Sequence, residues 1–428
     1  MMTMNALKVS YRMQFKKILG HSLIQNTFFL SLIKALDLIL PLMTIPYLTR
    51  VLSIEQFGAL VICMATYSMA NIFTDFGFGL SAPYEISKNK SDKYFINSYV
   101  SAIFILKLML SIAVILLVIP YFYYGKASHV VDFIGISLVA GIILCLAFQA
   151  QWFFLGVEKM KSITILASLG KISYFAMVFI IVPFYKSLNS VLVCIFLSNA
   201  ITVLFYFIFI KNERYIFTFV SSSLLRKVFF DSLSFFISRL AVGLSTTANG
   251  IVIGSILGAH TAALYGAAEK IYNAGISLVM PVSNALYPYM ARTKNHKLLI
   301  KVIFFFTLSS IIGCYLISYI TPWFFEFFFG KDYIYSSYLF NFFLILVPIN
   351  IASIFFGYTA FATVNKPKIA NYTVIVSSFI YLLAFLFIYY KGNFSVVNII
   401  ILVIMIDSLT LILRMFLFFK ELHKFDKD

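Results

Sequence analysis

From Ser22 to Arg414 the chain repeats one pattern, a long apolar run followed by a short polar or charged stretch. A helix needs about 20 apolar residues to cross a hydrocarbon layer about 30 Å thick. The runs predict helices over roughly 24–46, 57–80, 97–120, 132–156, 163–185, 189–210, 231–256, 264–290, 299–321, 338–361, 370–390 and 394–417. The expected fold class is therefore all-α, a polytopic integral membrane protein of about twelve transmembrane helices.

Composition agrees with that pattern and narrows the chemistry. Of 428 residues, 62% are hydrophobic and 11% are charged, whereas soluble domains carry about 25% charge. The first run follows a basic lead (Lys8, Arg12, Lys16, Lys17) in the manner of a signal peptide. It is too long for one and contains Lys34 and Asp37, so no cleavage is expected. Cys63, Cys145, Cys194 and Cys314 all fall inside predicted spans, without metal-ligand spacing, and read as packing residues. The five histidines form no motif. Neither a metal, a cofactor nor a catalytic residue is expected.

A net charge of +17 would suit a nucleic-acid partner, but its distribution points to membrane topology. With the N-terminus placed inside, the inner segments hold 23 of the 33 Lys and Arg, and the outer ones only Arg50, Lys126, Lys186, Lys331 and Lys391. Basic residues concentrate on the cytoplasmic side of membrane proteins, so both termini are expected in the cytoplasm and no nucleic acid is expected as partner. The longest connection, 211–230, divides the chain into halves of six helices, 1–215 and 216–428. A weak repeat relates them: Lys34 falls on Arg239 at an offset of 205 residues, and Gln56-Phe57-Gly58-Ala59 resembles Leu264-Tyr265-Gly266-Ala267.

A charged side chain at mid-membrane costs about 2.5–3.5 kcal/mol on insertion scales and is kept out of lipid, so charges at depth mark candidate sites. Lys34, Asp37 and Pro41 share one face of the first helix. Arg239, Gly243, Thr246 or Thr247, Gly250 and Gly254 form a small-and-polar stripe on the seventh. The eighth carries Glu269 and Lys270 with Asn273, Pro281, Asn284 and Pro288; the second carries Tyr67, Asn71 and Asp75; the twelfth carries Asp407, seven residues before Arg414. Lys34, Arg239 and Lys270 are the candidate cavity cations, and Asp37, Asp75, Glu269 and Asp407 the carboxylates able to exchange a proton or sodium. The plain alternative is that such charges pair to hold helices together, while Lys107, Lys171 and Arg414, nearer helix ends, extend to water. Gly254 and Gly258 have the spacing of a helix-packing motif. Asp75-Phe76-Gly77 matches a kinase triplet by accident, since no other kinase element accompanies it.

Three segments carry a family resemblance: Pro46-Tyr47-Leu48-Thr49-Arg50-Val51-Leu52-Ser53-Ile54-Glu55-Gln56-Phe57-Gly58, Asp75-Phe76-Gly77-Phe78-Gly79-Leu80-Ser81-Ala82, and Gln151-Trp152-Phe153-Phe154-Leu155-Gly156-Val157-Glu158-Lys159-Met160. With Tyr265-Gly266-Ala267-Ala268-Glu269-Lys270-Ile271, they resemble the Wzx-type O-antigen flippases, of the polysaccharide-transporter branch of the multidrug/oligosaccharidyl-lipid/polysaccharide exporter superfamily. The resemblance implies two six-helix lobes in a V around a central cavity, in the bacterial inner membrane. It implies flipping of undecaprenyl-diphosphate-linked oligosaccharide to the periplasmic leaflet, with a polysaccharide polymerase complex as a further partner. Lys34 and Arg239 would then supply paired cations to the diphosphate. Three other readings stay open. A drug or cation antiporter of the same superfamily would favour acidic cavity residues. A peptidoglycan-precursor flippase usually has additional helices. An O-antigen polymerase or ligase would carry a long periplasmic loop with catalytic residues, and the short connections argue against an enzyme.

Overall fold

In the computed structural model, Leu36 and residues 39–125 and 130–425 are described. Those residues are almost entirely helical. The order is α1 (Ile39–Val51), α2 (Ile54–Asp75), α3 (Phe78–Lys88), α4 (Lys93–Tyr124), α5 (Phe133–Phe148), α6 (Gln151–Gly156), α7 (Met160–Ile181) and α8 (Leu188–Asn212). It continues with α9 (Ser222–Thr246), α10 (Ala248–Leu257), α11 (Ala259–Ser277), α12 (Met280–Thr293), α13 (His296–Phe329) and α14 (Ile334–Ile354). A π-turn (Phe355–Thr359) leads into α15 (Ala360–Thr363), followed by α16 (Ile369–Tyr390) and α17 (Val396–Phe425).

Short polar residues start many of these helices by accepting hydrogen bonds from otherwise unpaired amides of the first turn. Ser53 accepts from Gln56 N–H at 3.3 Å, Asp92 from Phe95 at 2.9 Å, Asp132 from Gly135 at 2.8 Å, and Asn295 from Leu298 at 2.9 Å. Among the described residues, ten helical stretches are long and apolar enough to span a bilayer. The remaining two expected spans are the first, described as Ile39–Val51, and the eighth, which is α11 and α12. That eighth segment is interrupted after Ser277 and diluted by His260, Glu269, Lys270 and Asn273.

Several spans are longer than expected and broken. The second, expected as one helix over 57–80, runs from Ile54 to Lys88 with a break at Phe76 and Gly77. The seventh starts at Ser222, so the connection expected over 211–230 shrinks to 213–221. That connection is docked: Ile216 N–H donates to Asn97 Oδ1 at 3.2 Å and Thr218 N–H to Ser101 Oγ at 3.0 Å, both on α4.

Apolar packing is distributed unevenly along the bundle. At one end a single cluster joins helices from all along the chain, including Leu52, Phe57, Val131 and Leu188 with Ala262, Phe329, Tyr333 and Val396. At the opposite end there are two separate clusters. Ile86, Ile96, Trp152, Ile163, Ile210 and Val228 form one, and Met290, Leu299, Phe361, Ala370 and Phe418 the other. The helices therefore share a core at the first end and divide into two bodies at the second. The start of α9, with Leu224, Leu225 and Phe229 around Val228, packs into the first of these bodies.

Candidate functional site

Asp75 sits where α2 stops. Phe76 (φ 45°) and Gly77 (φ 79°) both adopt left-handed backbone, which costs a non-glycine residue about 1–2 kcal/mol. Phe76 offsets this by stacking between Phe229 and Phe236 of α9, each at a centroid distance of 4.4 Å. Position 77 needs glycine twice over, because a Cβ there would lie 2.7 Å from Phe235 Cβ and 2.8 Å from Phe236 N. The break turns the Asp75 carboxylate back onto α3, where Oδ2 accepts from Gly79 N–H at 3.2 Å.

Two cations complete the cluster. Lys107 Nζ of α4 donates to Asp75 Oδ1 at 3.1 Å, and Arg239 Nη1 of α9 to Oδ2 at 2.5 Å. The Lys107 side chain is 2% exposed and that of Arg239 is 39% exposed. The Lys107 ammonium also lies 5.9 Å from the Trp152 ring centroid, within reach of a cation–π attraction. Lys107 therefore does not extend to water as its sequence position suggested; burial beside a carboxylate and an indole face holds it inside the helix layer. The cluster carries two positive charges for one negative.

The stripe through Arg239 continues as a seam against α2. Cβ atoms built on Gly243, Gly250 and Gly254 would approach Ile72, Ala65 and Ile62 to 2.3, 3.0 and 2.2 Å respectively. Below Arg239 the seam reaches α3, where the Ser81 and Ser232 hydroxyls lie 2.8 Å apart. Gly258, by contrast, has open space around it.

A second polar centre lies between α11, α14 and α17. Asn350 Nδ2 donates to Asp407 Oδ2 at 2.8 Å and to the Tyr272 hydroxyl at 2.6 Å. Two turns along α17 from Asp407, Arg414 is not extended to water as expected. It donates to the Ser353 carbonyl (2.6 Å), Ser353 Oγ (2.9 Å) and Thr373 Oγ1 (3.2 Å). The adjoining π-turn makes this possible, since a Cβ on Gly357 would stand 3.3 Å from Arg414 Nη1. Glu269 accepts from the Tyr265 hydroxyl at 2.9 Å. Lys270 is half-buried, and among the described residues no carboxylate is within ion-pair distance of it. Lys34 and Asp37 lie outside the described residues.

Of the site residues expected from sequence, the structure thus brings Arg239 and Asp75 into direct contact and leaves Lys270, Glu269 and Asp407 elsewhere. Sequence reading missed Lys107 as the second partner, and Tyr272 and Asn350 around Asp407. Asn350 had one usable signal, a polar residue two positions after Pro348 inside an apolar run. Among the described residues, no group of three His, Cys, Asp or Glu is arranged to hold a metal ion.

Comparison with known proteins fits this architecture. The chain is 26% identical over 384 residues to a protein of Shigella dysenteriae named "Putative O-antigen transporter", covering 87% of this chain and 95% of that one. Its fold matches the lipid II flippase MurJ in an inward closed conformation, with a TM-score of 0.67 at 12% identity over 92% of this chain and 87% of that one. It also matches a multidrug resistance MATE family transporter of the MOP superfamily in its inward-facing conformation, with a TM-score of 0.64 at 15% identity over 90% and 98% of the two chains. Residues 23–294 match the model of the family described as polysaccharide biosynthesis protein, and the chain belongs to that family.

Proposed function

We propose that this protein flips undecaprenyl-diphosphate-linked oligosaccharide units, of the O-antigen class or similar, from the cytoplasmic to the periplasmic leaflet of the bacterial inner membrane. The observation that carries the reading is the excess cation at Asp75. Lys107 already neutralises this carboxylate from a sealed position, and the more exposed Arg239 adds a further positive charge within a membrane span. A guanidinium in that setting suits the paired oxygens of a diphosphate. The names of the relatives point to the same class of cargo, one to O-antigen and one to lipid II. A transporter of cationic drugs would gain nothing from surplus positive charge.

Transport proceeds by alternating access, with the halves 1–215 and 216–428 rocking about the bound headgroup while the lipid chain stays in the membrane. The inner bias of Lys and Arg supports cytoplasmic termini. The shared apolar core then faces the periplasm, and the divided end opens to the cytoplasm, where the loaded lipid is made. Lys34 and Lys270 serve as further cations along the route. Asp407, held by Asn350 inside the bundle, is the foremost candidate for coupling to a proton or sodium gradient, ahead of Asp37 and Glu269; Asp75 is held by the sealed Lys107.

Complementation tests the reading. Expressed in a bacterium lacking its own O-unit flippase, the chain should restore surface polysaccharide bands, and Arg239→Ala and Lys34→Ala should remove them without loss of membrane insertion. Wild-type banding in the double variant would sink the proposal. Flipping by Asp407→Asn should no longer respond when the ion gradient is collapsed. An unaltered response would take Asp407 out of the coupling role.

A further inference from the structure

The division of Asp75 between its two cations has a mechanical side. Lys107 reaches it from α4, which packs in the same apolar cluster as the α2–α3 break, and is sealed from solvent. Arg239 reaches it from α9, which joins the same cluster through Val228, Phe229 and Phe236 and meets α2–α3 along the seam formed by Gly243 on Ile72 and Ser232 on Ser81. The Asp75–Arg239 pair is the charged rivet of that seam, and its guanidinium is the more exposed partner, 39% against 12% for the carboxylate.

We propose that Arg239 is an exchangeable latch: its guanidinium holds Asp75 while the protein is empty and transfers to the diphosphate oxygens of an arriving headgroup, so that loading loosens the seam between α2–α3 and α9. The proposal rests on the anionic-headgroup reading given above. Two features favour the exchange. A diphosphate carries more negative charge than a carboxylate and offers oxygens in the paired geometry a guanidinium fits. Lys107 stays on Asp75 throughout, so departure of Arg239 leaves no unpaired buried carboxylate, which would otherwise oppose release. The second cation is thus what makes the latch reversible, and it ties movement of the helices to occupancy of the site.

Cysteines at the two facing serines report the seam. Ser81→Cys with Ser232→Cys, in a background where Cys63, Cys145, Cys194 and Cys314 are replaced by alanine, is reconstituted in liposomes and cross-linked directly as a disulfide by copper phenanthroline oxidation, since both positions are buried and close together. The rate is compared with and without undecaprenyl diphosphate in the bilayer, and retention of that lipid by the purified protein is measured in parallel. The lipid is expected to slow cross-linking by about tenfold, the equivalent of one charge-assisted hydrogen bond. Arg239→Gln should be slow without lipid and insensitive to it. Lipid that is retained through Arg239 but leaves the rate unchanged would overturn the latch while the anionic-headgroup reading stands. No retention at all would overturn both. If Arg239→Gln does not fold, Asp75→Asn decides the matter: freeing the guanidinium should tighten lipid retention by about tenfold, a gain that loss of a merely structural pair would not give. Unchanged or weaker retention in Asp75→Asn overturns the latch.

Discussion

A Cβ placed on Gly58 of α2 would stand 1.8 Å from the carbonyl oxygen of Ala259 at the start of α11. The two helices therefore meet backbone to backbone inside the shared core, and neither atom can yield by a rotamer change. Gly58→Ala should force them apart and lower stability by about 1–3 kcal/mol, as overpacking does elsewhere. Gly266→Ala should cost less, because the atoms in its way are the methyls of Val61, at 2.6 and 2.7 Å. Gly275 has nothing within 4 Å of its Cβ position and lies inside α11, so Gly275→Ala should stabilise by about 0.5–1 kcal/mol. Thermal unfolding in detergent would rank the three; equal shifts would contradict the assignment of the α2–α11 contact.

The same region marks how far the sequence could be read. Hydropathy located nearly every span, because crossing a bilayer demands long apolar runs, whereas the similarity of Gln56–Ala59 to Leu264–Ala267, read as a trace of a repeat, gave no sign that Gly58 and Gly266 pack at the α2–α11 contact. Breaks within spans were not legible. Phe76 gives no warning that it will take a left-handed conformation, since its stability there comes from Phe229 and Phe236, more than 150 residues away. Lys107 was misread for a related reason. Nearness to a helix end says where a lysine can go, whereas the carboxylate that captures it comes from another helix. Arg414 likewise turned inward to Ser353 and Thr373, following a π-turn that no periodicity announced.

Removal of one partner from the Asp75 cluster should be worse than removal of two. Asp75→Ala leaves Lys107, with its side chain 2% exposed, uncompensated, and loss of a buried partner costs about 3–5 kcal/mol. Lys107→Met leaves Asp75 still paired with Arg239 and should cost less. The Asp75→Ala, Lys107→Met double variant removes the stranded charge and should recover part of the loss. Unfolding measurements on the four proteins of this cycle give the coupling directly, and simple additivity would show that Lys107 and Asp75 do not share an interaction.

Arg414 anchors α17 to α14 and α16 through three donated hydrogen bonds. Arg414→Ala leaves the Ser353 carbonyl and the Thr373 hydroxyl without this donor, and an unsatisfied buried polar group costs about 1–3 kcal/mol. Gly357→Ala should act through the same contact by crowding the guanidinium. Because both act on one arrangement, the double variant should be little worse than Arg414→Ala alone. A double variant whose loss equals the sum of the two would mean that Gly357 serves some other purpose than making room for Arg414.

The connection 213–221 is fixed to α4 by side chains that accept from its backbone, Asn97 from Ile216 N–H and Ser101 from Thr218 N–H. Of its own apolar side chains, Tyr215 and Val220 pack against the adjoining cluster while Ile216 and Phe219 are exposed. The two side-chain acceptors add about 0.5–1.5 kcal/mol per hydrogen bond to that packing. Asn97→Ala with Ser101→Ala should free the segment and raise the rate of tryptic cleavage after Arg214 by about tenfold, because proteolysis follows the population of the locally opened form. Global unfolding should shift less, as the apolar packing of α4 is left in place. Cleavage at an unchanged rate would mean that the aromatic contact of Phe217 with Phe104, at 5.4 Å, is enough to hold the connection, and Phe217→Ala would then produce the effect instead.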